Sequence, residues 1–465
     1  MTEEIKTHVL VVGGGPGGYV AAIRAGQLGL DTVLVEADRL GGTCLIRGCI
    51  PSKALIHAAT RLHDMRRHAE AAAMGISLPA PPVFDIRGAV AWKDGIVDKL
   101  NAGVASLLKR AKVRVVQGWA TFRDGKSCDV AGPEGEIRIR AENVILATGS
   151  EPVALPDLPF GGDILSSAEA LSLAELPASL AVVGAGYIGL ELGIAFARMG
   201  VKVTVIEAEE RILPLYDARL TDPVQKWLER HGVALHLGAR ARGFGDGKLR
   251  IETAAGATAI PADKVLVTVG RRPRLAGWGF ENMGIDPERG FIPVDGQCRT
   301  AMRGIYAIGD LVGEPMLAHK ASAQGEMVAE IIAGKRRAFD PAAIPAICFT
   351  EPEIVSVGLS PDDAAAQGMD VITGIFPFAA NGRALTMEAG DDGGFVRVVA
   401  RRDNHRILGI QAVGAHVSEL SGVFVSAIEM AAVLADVAGM IHAHPTLGEA
   451  FHEAALHALG HAIHR

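Results

Sequence analysis

Two cysteines, Cys44 and Cys49, stand five positions apart in the stretch Gly-Gly-Thr-Cys-Leu-Ile-Arg-Gly-Cys-Ile-Pro-Ser-Lys, residues 41–53. Pro51 follows the second cysteine and precedes a run of apolar residues with helical spacing. We therefore expect Cys49 to lie at or just before the start of a helix, with the proline near its first turn. Free backbone amides and the helix dipole at that position favour a thiolate over a thiol. The pattern predicts a cysteine pair that cycles between a disulfide and a dithiol.

The composition limits the classes of protein to which the chain can belong. Its 465 residues suffice for about three domains, and 49% hydrophobic residues with 56 glycines are typical of a glycine-rich α/β protein. The net charge of −7 argues against nucleic-acid binding, and no apolar run approaches the ~18 residues of a membrane helix. The first residues lack signal-sequence character, so the expected location is cytoplasmic. Five cysteines do not make a secreted disulfide framework, and no second Cys/His pair has the spacing of metal ligands.

A dinucleotide-binding fingerprint precedes the cysteines. A buried strand over residues 8–12 is followed by glycines in G-x-G-x-x-G spacing, a helix over 19–28 and a second strand that ends at Glu36; the glycines are Gly13, Gly15 and Gly18. The glycines let a pyrophosphate approach the backbone, the helix start stabilises its charge, and the acid accepts hydrogen bonds from ribose hydroxyls. This arrangement predicts a site for an ADP moiety.

The same fingerprint recurs about 170 residues later. A strand over residues 180–183 leads into a second glycine turn, a helix to residue 199 and a strand that ends at Glu207; the glycines are Gly184, Gly186 and Gly189. A carboxylate at this strand end favours a free 2′-hydroxyl, hence NAD, because it repels a 2′-phosphate. Two dinucleotide sites beside a cysteine pair suggest electron transfer from thiols to a flavin and on to a nicotinamide.

The remaining segments complete a three-part organisation. Residues 87–111 read as a long helix, and buried strands are expected at 113–116, 137–139, 144–150, 264–269 and from 305 to Gly309-Asp310. After about residue 345, alternating segments at 395–399 and 408–413 predict an antiparallel sheet, with helices at 420–434 and 447–461. The predicted fold class is α/β, with two Rossmann-like dinucleotide-binding domains and a C-terminal α+β dimerisation domain.

Taken together, these motifs resemble the FAD-dependent pyridine nucleotide–disulfide oxidoreductases over essentially the whole chain. The resemblance rests on the cysteine motif, both fingerprints, Ala-Ile-Gly-Asp, Met-Leu-Ala-His, Ala-Asn-Gly-Arg-Ala and His-Ala-His-Pro-Thr-Leu-Gly-Glu. Within the family, the chain is most similar to members that oxidise dihydrolipoamide with NAD⁺. Stretches such as Val-Ala-Trp-Lys-Asp-Gly-Ile-Val-Asp look most like the bacterial versions that serve the branched-chain 2-oxoacid dehydrogenase complex.

The resemblance implies a division of labour among six catalytic residues: Cys44, Cys49, His444, Glu449, Lys53 and Glu191. Cys44 would form the mixed disulfide with lipoamide, and Cys49 would be the thiolate next to the flavin. The partner subunit's His444 would act as the general base for dihydrolipoamide, and Glu449 would orient it. A monomer would then lack a complete site, which implies a homodimer.

The resemblance also implies two sets of cofactor-binding residues. Lys53 and Glu191 would pair near the flavin N5. The FAD set consists of Gly13, Gly15, Pro16, Gly18, Glu36, Gly42, Thr43, Lys53, Gly118, Thr148, Gly149, Ser150, Asp310, Met316, Leu317, Ala318 and His319. The NAD set consists of Gly184, Gly186, Tyr187, Ile188, Gly189, Glu191, Glu207 and Gly270, with the tyrosine beside the nicotinamide pocket.

One departure from the family pattern lies between the cysteines. The family usually has Asn where this chain has Ile46, which is followed by Arg47. The arginine either lowers the pKa of a thiol or points to solvent. Both readings leave the type of reaction unchanged.

The resemblance further implies domain limits and partners. Residues 1–153 and 276–345 would bind FAD, 154–275 would bind NAD, and 346–465 would form the dimer interface. The partners would be a second copy of the chain, and the lipoyl domain and acyltransferase core of a 2-oxoacid dehydrogenase complex. Two alternatives stay open: an NADH-dependent reductase of another small disulfide, or a docking flavoprotein with little dithiol turnover.

Overall fold

The first 152 residues form most of a mixed sheet with helices on its faces. The computed structural model describes residues 3–70, 73–133 and 135–464. The strand order is β3-β2-β1-β6-β5-β4, in which β1, β2, β3 and β6 are parallel, and β4 and β5 form an antiparallel hairpin. The elements are β1 (Glu3–Val12), α1 (Pro16–Gln27), β2 (Thr32–Glu36), α2 (Gly42–Arg47), α3 (Cys49–Glu70), α4 (Ile86–Arg110), β3 (Arg114–Gln117), β4 (Trp119–Asp124), β5 (Ser127–Gly132), β6 (Gly135–Leu146) and β7 (Ser150–Pro152).

The middle of the chain builds a second parallel sheet of order β11-β10-β9-β15-β8. Its central strand β9 is fully buried from Leu180 to Val183, as expected for a parallel sheet covered on both faces. The elements are β8 (Ile164–Leu165), α5 (Ser167–Ala170), β9 (Ser179–Val183), α6 (Tyr187–Met199), β10 (Lys202–Ile206), α7 (Ala218–Arg230), β11 (Ala234–His236), β12 (Arg240–Gly245), β13 (Lys248–Thr253), β14 (Gly256–Pro261), β15 (Lys264–Val267) and β16 (Arg271–Pro273). Strands β12, β13 and β14 form an antiparallel sheet, and β16 pairs with β7.

The last third of the chain first returns to the first sheet and then forms a third one. Strand β17 pairs in parallel with β6, and an antiparallel sheet of order β18-β19-β22-β21-β20 follows. The elements are β17 (Ile305–Ala307), α8 (Ala318–Ile332), β18 (Ala346–Cys348), β19 (Glu353–Gly358), α9 (Pro361–Ala366), β20 (Val371–Pro377), α10 (Gly382–Thr386), β21 (Phe395–Arg401), β22 (Ile407–Gly414), α11 (Ser421–Glu429), α12 (Leu434–Gly439) and α13 (Glu449–Ala458). Helix α13 packs on this sheet through Phe451, which meets Phe424 edge to face in the buried core.

The expected α/β fold with two dinucleotide-binding sheets and a C-terminal α+β region is confirmed. Three element predictions need correction. The strands expected at 137–139 and 144–150 are one strand, β6, whose register with β1 runs from Ile137 to Leu146. The helix expected at 420–434 ends at Glu429, since Ala431 has a positive φ of 54° and residues 434–439 form a separate helix. The strand expected from 305 ends at Ala307, and Gly309–Val312 form a short 3₁₀ turn.

No helix among residues 3–70, 73–133 and 135–464 combines the length and the apolar character that crossing a bilayer requires.

Candidate active site

The two cysteines lie at the junction of helices α2 and α3. Gly41 adopts a left-handed conformation before α2, and Gly48 separates this short helix from α3, whose first residue is Cys49. The hydroxyl of Ser52 donates to the Cys49 carbonyl at 3.0 Å, and the Ser52 amide donates to the Gly48 carbonyl at 2.9 Å, which fixes the first turn. Both thiols are free, with Cys44 half-buried and Cys49 exposed.

The surroundings give the two thiols opposite acidities. The hydrogen bond that the Cys44 thiol donates to Cys49 is the largest cause that lowers the pKa of Cys49, to about 7. The Lys53 ammonium also acts to lower this pKa, and Glu191 opposes it. The same hydrogen bond, together with burial, raises the pKa of Cys44 far above that of an ordinary thiol. Cys49 is therefore the stable thiolate of the reduced pair, and Cys44 carries the proton.

An ion pair stands behind the thiolate. The ammonium of Lys53 on α3 contacts Oε2 of Glu191 on α6 at 2.7 Å. Glu191 is buried, and Lys53 is about one-third exposed. The pair brings together two residues that lie 138 positions apart in the sequence.

A cavity of about 500 Å³ opens from the thiols toward the first fingerprint. Both cysteines line it, together with most of the residues expected to bind FAD: Gly13, Gly15, Pro16, Glu36, Gly42, Thr43, Lys53, Gly118, Thr148, Gly149, Ser150, Asp310, Met316 and Ala318. Three others do not line it. Gly18 packs against the Gly13 carbonyl, the ring of His319 contacts the Pro345 carbonyl at 2.9 Å, and Leu317 is the residue that precedes α8.

The fingerprint end of the cavity has the features that a nucleotide diphosphate requires. Helix α1 begins after Gly15, without a side-chain cap and without an acidic residue in its first turn, so its amides are free for an anion. A side chain at Gly13 would lie 2.3 Å from the Ala147 carbonyl oxygen, which explains the glycine. The Glu36 carboxylate is fixed by the amides of Gly14 at 2.6 Å and Asp38 at 2.8 Å. These residues fit the ADP half of FAD.

The second fingerprint repeats this geometry. Helix α6 follows Gly186 and also lacks a side-chain cap and an acidic first turn. The carboxylate of Glu207 is fixed by the amides of Ala185 at 2.6 Å and Glu209 at 2.9 Å, as Glu36 is in the first fingerprint. Gly189 packs against the Gly184 carbonyl, where a Cβ atom would lie 2.1 Å away. This turn fits the ADP half of NAD.

The residues expected at the nicotinamide pocket lie where the two sites approach each other. Tyr187, Ile188 and Glu191, on the first turns of α6, line the cavity that holds the cysteines. Gly270, in the turn after β15, accepts a hydrogen bond from the Val153 amide at 3.1 Å and lies next to the β16–β7 pairing. Helix α6 thus belongs to both sites: its first residues follow the second glycine turn, and one of its faces borders the cavity that holds the cysteines.

The structure adds residues that the sequence did not single out. Arg271 donates from Nε to the Ser150 hydroxyl and from Nη2 to its carbonyl, both at 2.8 Å, while that hydroxyl donates to Asp310. Arg274 also lines the cavity. In the sequence, Arg271 belongs to the motif Gly-Arg-Arg-Pro, residues 270–273, which follows strand β15. Only the pairing of β16 with β7 shows that this arginine reaches the cavity.

Arg47, the unusual residue between the cysteines, also lies on the cavity wall. Its guanidinium pairs with the Asp38 carboxylate, just beyond the strand that carries Glu36. It also acts to lower the pKa of Glu36, which burial raises overall. Ile46 packs, partly buried, against the core beneath the first sheet. Arg47 is thus oriented toward the nucleotide end of the cavity.

His444 and Glu449 form a separate acid–base pair near the start of α13. Nδ1 of His444 lies 2.9 Å from Oε1 of Glu449, whose other oxygen accepts from the Thr446 amide at 2.8 Å. Burial acts to raise the pKa of Glu449, but these hydrogen bonds outweigh it and the pKa is lowered. Since a carboxylate only accepts, it holds the proton on Nδ1 and leaves Nε2 as the basic nitrogen.

His444 lies outside the cavity of its own chain. It is not among the described residues that line the cavity, and its side chain is 79% exposed.

Comparisons with known proteins agree with this geometry. The family model "Pyridine nucleotide-disulphide oxidoreductase" matches residues 7–325, and that family's dimerisation-domain model matches residues 344–455. A dihydrolipoyl dehydrogenase of Pseudomonas aeruginosa is 59% identical over the full length of both chains. One from Geobacillus stearothermophilus is 46% identical over 99% of this chain and 98% of its own.

Solved structures give the same picture. LpdA from Mycobacterium tuberculosis superposes with a TM-score of 0.88 at 27% identity, covering 97% of this chain and 99% of its own. The HOCl-induced flavoprotein disulfide reductase RclA from Escherichia coli gives a TM-score of 0.84 at 25% identity, covering 96% of this chain and 99% of its own.

Proposed function

Because the chain belongs to the pyridine nucleotide–disulphide oxidoreductases, we propose that it is an NAD-dependent, FAD-containing enzyme that oxidises dihydrolipoamide to lipoamide. The observation that carries this proposal is the cavity in which a cysteine pair with opposite acidities meets the first fingerprint. The full-length similarity to dihydrolipoyl dehydrogenases supports the choice of substrate.

The chemistry begins with the disulfide between Cys44 and Cys49. One thiolate of dihydrolipoamide attacks Sγ of Cys44, the bond between the cysteines breaks, and Cys49 leaves as a thiolate. Cys49 is the better leaving group of the two because the Lys53 ammonium beside it acts to lower its pKa. The second thiol of the substrate then attacks the substrate sulfur of the mixed disulfide, which releases lipoamide and leaves Cys44 reduced. Two electrons have then passed from the substrate to the cysteine pair.

A base must remove protons from both substrate thiols. We assign this role to the partner subunit's His444, with Glu449 of the same chain as its orienting acid. The Nδ1 contact at 2.9 Å keeps Nε2 free to accept a proton. The exposure of His444 and its absence from the cavity of its own chain support its assignment to the neighbouring site.

The remaining residues hold the cofactors. When bound, FAD supplies the two-electron acceptor that reoxidises the dithiol and delivers hydride to NAD⁺. We assign the FAD contacts to the cavity residues given above and the NAD contacts to the second fingerprint, with Glu207 for the ribose. Residues 1–153 with 276–345, 154–275 and 346–465 would be the three domains, and the return of β17 to the first sheet supports this division.

The matched dimerisation domain indicates that the enzyme works as a homodimer. We further propose that it serves a 2-oxoacid dehydrogenase complex, in which it would reoxidise the lipoyl domain bound to an acyltransferase core. The branched-chain complex is our preferred choice, on the strength of the sequence stretches that resemble its bacterial versions. Anaerobic assays with lipoyl domains from different complexes would decide between them by the ratio of kcat to KM.

The test of the reaction is turnover by purified holoenzyme and by Cys49→Ser. We expect NAD⁺ reduction with dihydrolipoamide to far exceed that with glutathione, and to be lost in Cys49→Ser although the variant keeps its FAD. The matched control is Cys298→Ser, which changes a buried cysteine outside the cavity. Undiminished dihydrolipoamide turnover in Cys49→Ser would overturn the mechanism, and preference for another disulfide would overturn the substrate.

A further inference from the structure

A residue of the C-terminal sheet reaches the ion pair behind the thiolate. The backbone amide of Phe349, which directly follows β18, donates to Oε1 of Glu191 at 2.9 Å. Because Oε2 of the same carboxylate binds Lys53, both oxygens of this buried acid have a donor. One donor comes from the helix that begins at Cys49, and the other comes from the third sheet.

The side chain of the same residue contacts the other member of the pair. The Lys53 ammonium lies 4.4 Å from the centroid of the Phe349 ring, within the range of a cation–π interaction. The ammonium thus contacts both the ring and the Glu191 carboxylate. Since Lys53 is about one-third exposed, the ring contact adds a second restraint to its ion pair.

The backbone on either side of Phe349 is firmly held. Cys348 is fully buried, pairs with Ile354 of β19 and hydrogen-bonds to the Tyr216 hydroxyl. On the other side, the buried Thr350 hydroxyl donates to the Pro352 carbonyl at 2.8 Å. The position of the phenylalanine is therefore set by the third sheet and not by the cavity that it influences.

We infer that Phe349 is a positioning residue of the redox centre. Its ring and its backbone amide hold Lys53 and Glu191 in the arrangement that supports the Cys49 thiolate, so that the C-terminal sheet adjusts thiol chemistry in the first domain. This inference rests on the proposed dithiol chemistry. Loss of the ring leaves the amide contact in place but releases the ammonium, so the thiolate loses part of its stabilisation.

The experiment compares Phe349→Met, which removes the ring but keeps an apolar side chain and the amide, with Phe349→Tyr, which keeps the ring. In the reduced holoenzyme, the long-wavelength absorbance that the Cys49 thiolate gives beside the flavin is followed against pH. We expect the midpoint in Phe349→Met to rise by about half a pH unit, and the midpoint in Phe349→Tyr to stay at the wild-type value. If Phe349→Met folds poorly, Phe349→Leu also removes the ring, with a branched apolar side chain in its place.

Two controls separate positioning from a general loss of packing. Phe376→Met makes the same change in the buried core of the third sheet and should lower stability without moving the midpoint. In a Lys53→Met background, Phe349→Met should have no further effect, because the ring acts through the ammonium. An unchanged midpoint in both Phe349→Met and Phe349→Leu, or an equal shift in the Lys53→Met background, would overturn the inference.

The midpoint is measured without turnover, so this result is separable from the test of the reaction. A shifted midpoint in an enzyme that fails to oxidise dihydrolipoamide would refute the proposed substrate and retain the positioning role. An unshifted midpoint in an enzyme with full dihydrolipoamide turnover would retain the proposed substrate and refute the positioning role.

Discussion

At the scale of single residues, the cysteine pair is asymmetric because of its immediate neighbours. Cys49 has a pKa lowered to about 7 by the hydrogen bond from Cys44 and by Lys53. Thiolate forms above the pKa, so the long-wavelength absorbance of the Cys49 thiolate beside the flavin should rise with pH to a midpoint near 7 in the reduced holoenzyme. In Lys53→Met the midpoint should move up by about one pH unit, because the cation is lost while Glu191 remains. Spectra of the reduced holoenzyme at several pH values measure both, and an unchanged midpoint in Lys53→Met would contradict the role of the cation.

Arg47 gives a second prediction at this scale. Its guanidinium pairs with Asp38 on the cavity wall and not with a thiol, so Arg47→Val should leave the pH midpoint of Cys49 thiolate formation unchanged. The substitution removes a cation from the nucleotide end of the cavity, beside Glu36 and Asp38. The dissociation constant of FAD should therefore rise about two- to fivefold, the range of an exposed ion pair. Fluorescence of released FAD measures the constant, Arg67→Val is the control for a remote arginine pair, and a displaced midpoint would instead assign Arg47 to the thiols.

At the scale of elements, the segment that carries the base depends on a short helix. Asn381 is buried, caps α10 by accepting from the Ala384 amide at 2.9 Å, and donates to the Thr446 carbonyl at 3.1 Å. Asn381→Ala loses both contacts and should cost about 2 kcal/mol, whereas Asn381→Ser keeps a capping oxygen and should cost about half as much. Thermal melting at fixed protein concentration ranks the variants. Equal losses would show that the bond to Thr446 contributes most of the effect.

The elements also show why some features were predictable from the sequence and others were not. The fingerprints follow from local patterns, since a buried strand, a glycine turn and an acid at the next strand end lie within about thirty residues. The sequence does not predict helix α2, because its six residues, Gly42–Arg47, begin with the second of two glycines and offer no helical periodicity. The sequence predicts two strands in place of β6, because Arg140 and Glu142 interrupt its apolar pattern. In the structure, β6 keeps the same register with β1 on both sides of these residues.

At the scale of the whole molecule, long-range contacts determine the chemistry. Lys53 and Glu191 were expected as a pair only by resemblance, and no local pattern predicts the contact of Phe349 with both. Lys53 lies on α3, Glu191 on α6 and Phe349 directly after β18, and the packing of α3 against α6 fixes where they meet. The helix that begins at Cys49 supplies the cation, α6 supplies the acid, and the third sheet supports the cation. Single-sequence reasoning finds such residues one by one but cannot place them together.

The molecule as a dimer gives the last prediction. If the base comes from the partner, a site needs the cysteines of one chain and His444 of the other. Cys49→Ser and His444→Gln homodimers should each lose at least 99% of dihydrolipoamide turnover, since a positioned base contributes about 10²–10⁴-fold. In a mixed dimer, however, one of the two sites combines intact cysteines with an intact histidine.

Co-expression of the two variants in equal amounts should therefore restore about one quarter of wild-type turnover, because half of the dimers are mixed and each has one working site. Differently tagged subunits allow the mixed dimer to be purified, and its activity should reach about half that of the wild type. A base that acted within its own chain would leave both sites of the mixed dimer defective. Absence of recovery would thus place His444 with the cysteines of its own chain. The 79% exposure of its side chain and its absence from the described lining of that chain's cavity argue for recovery.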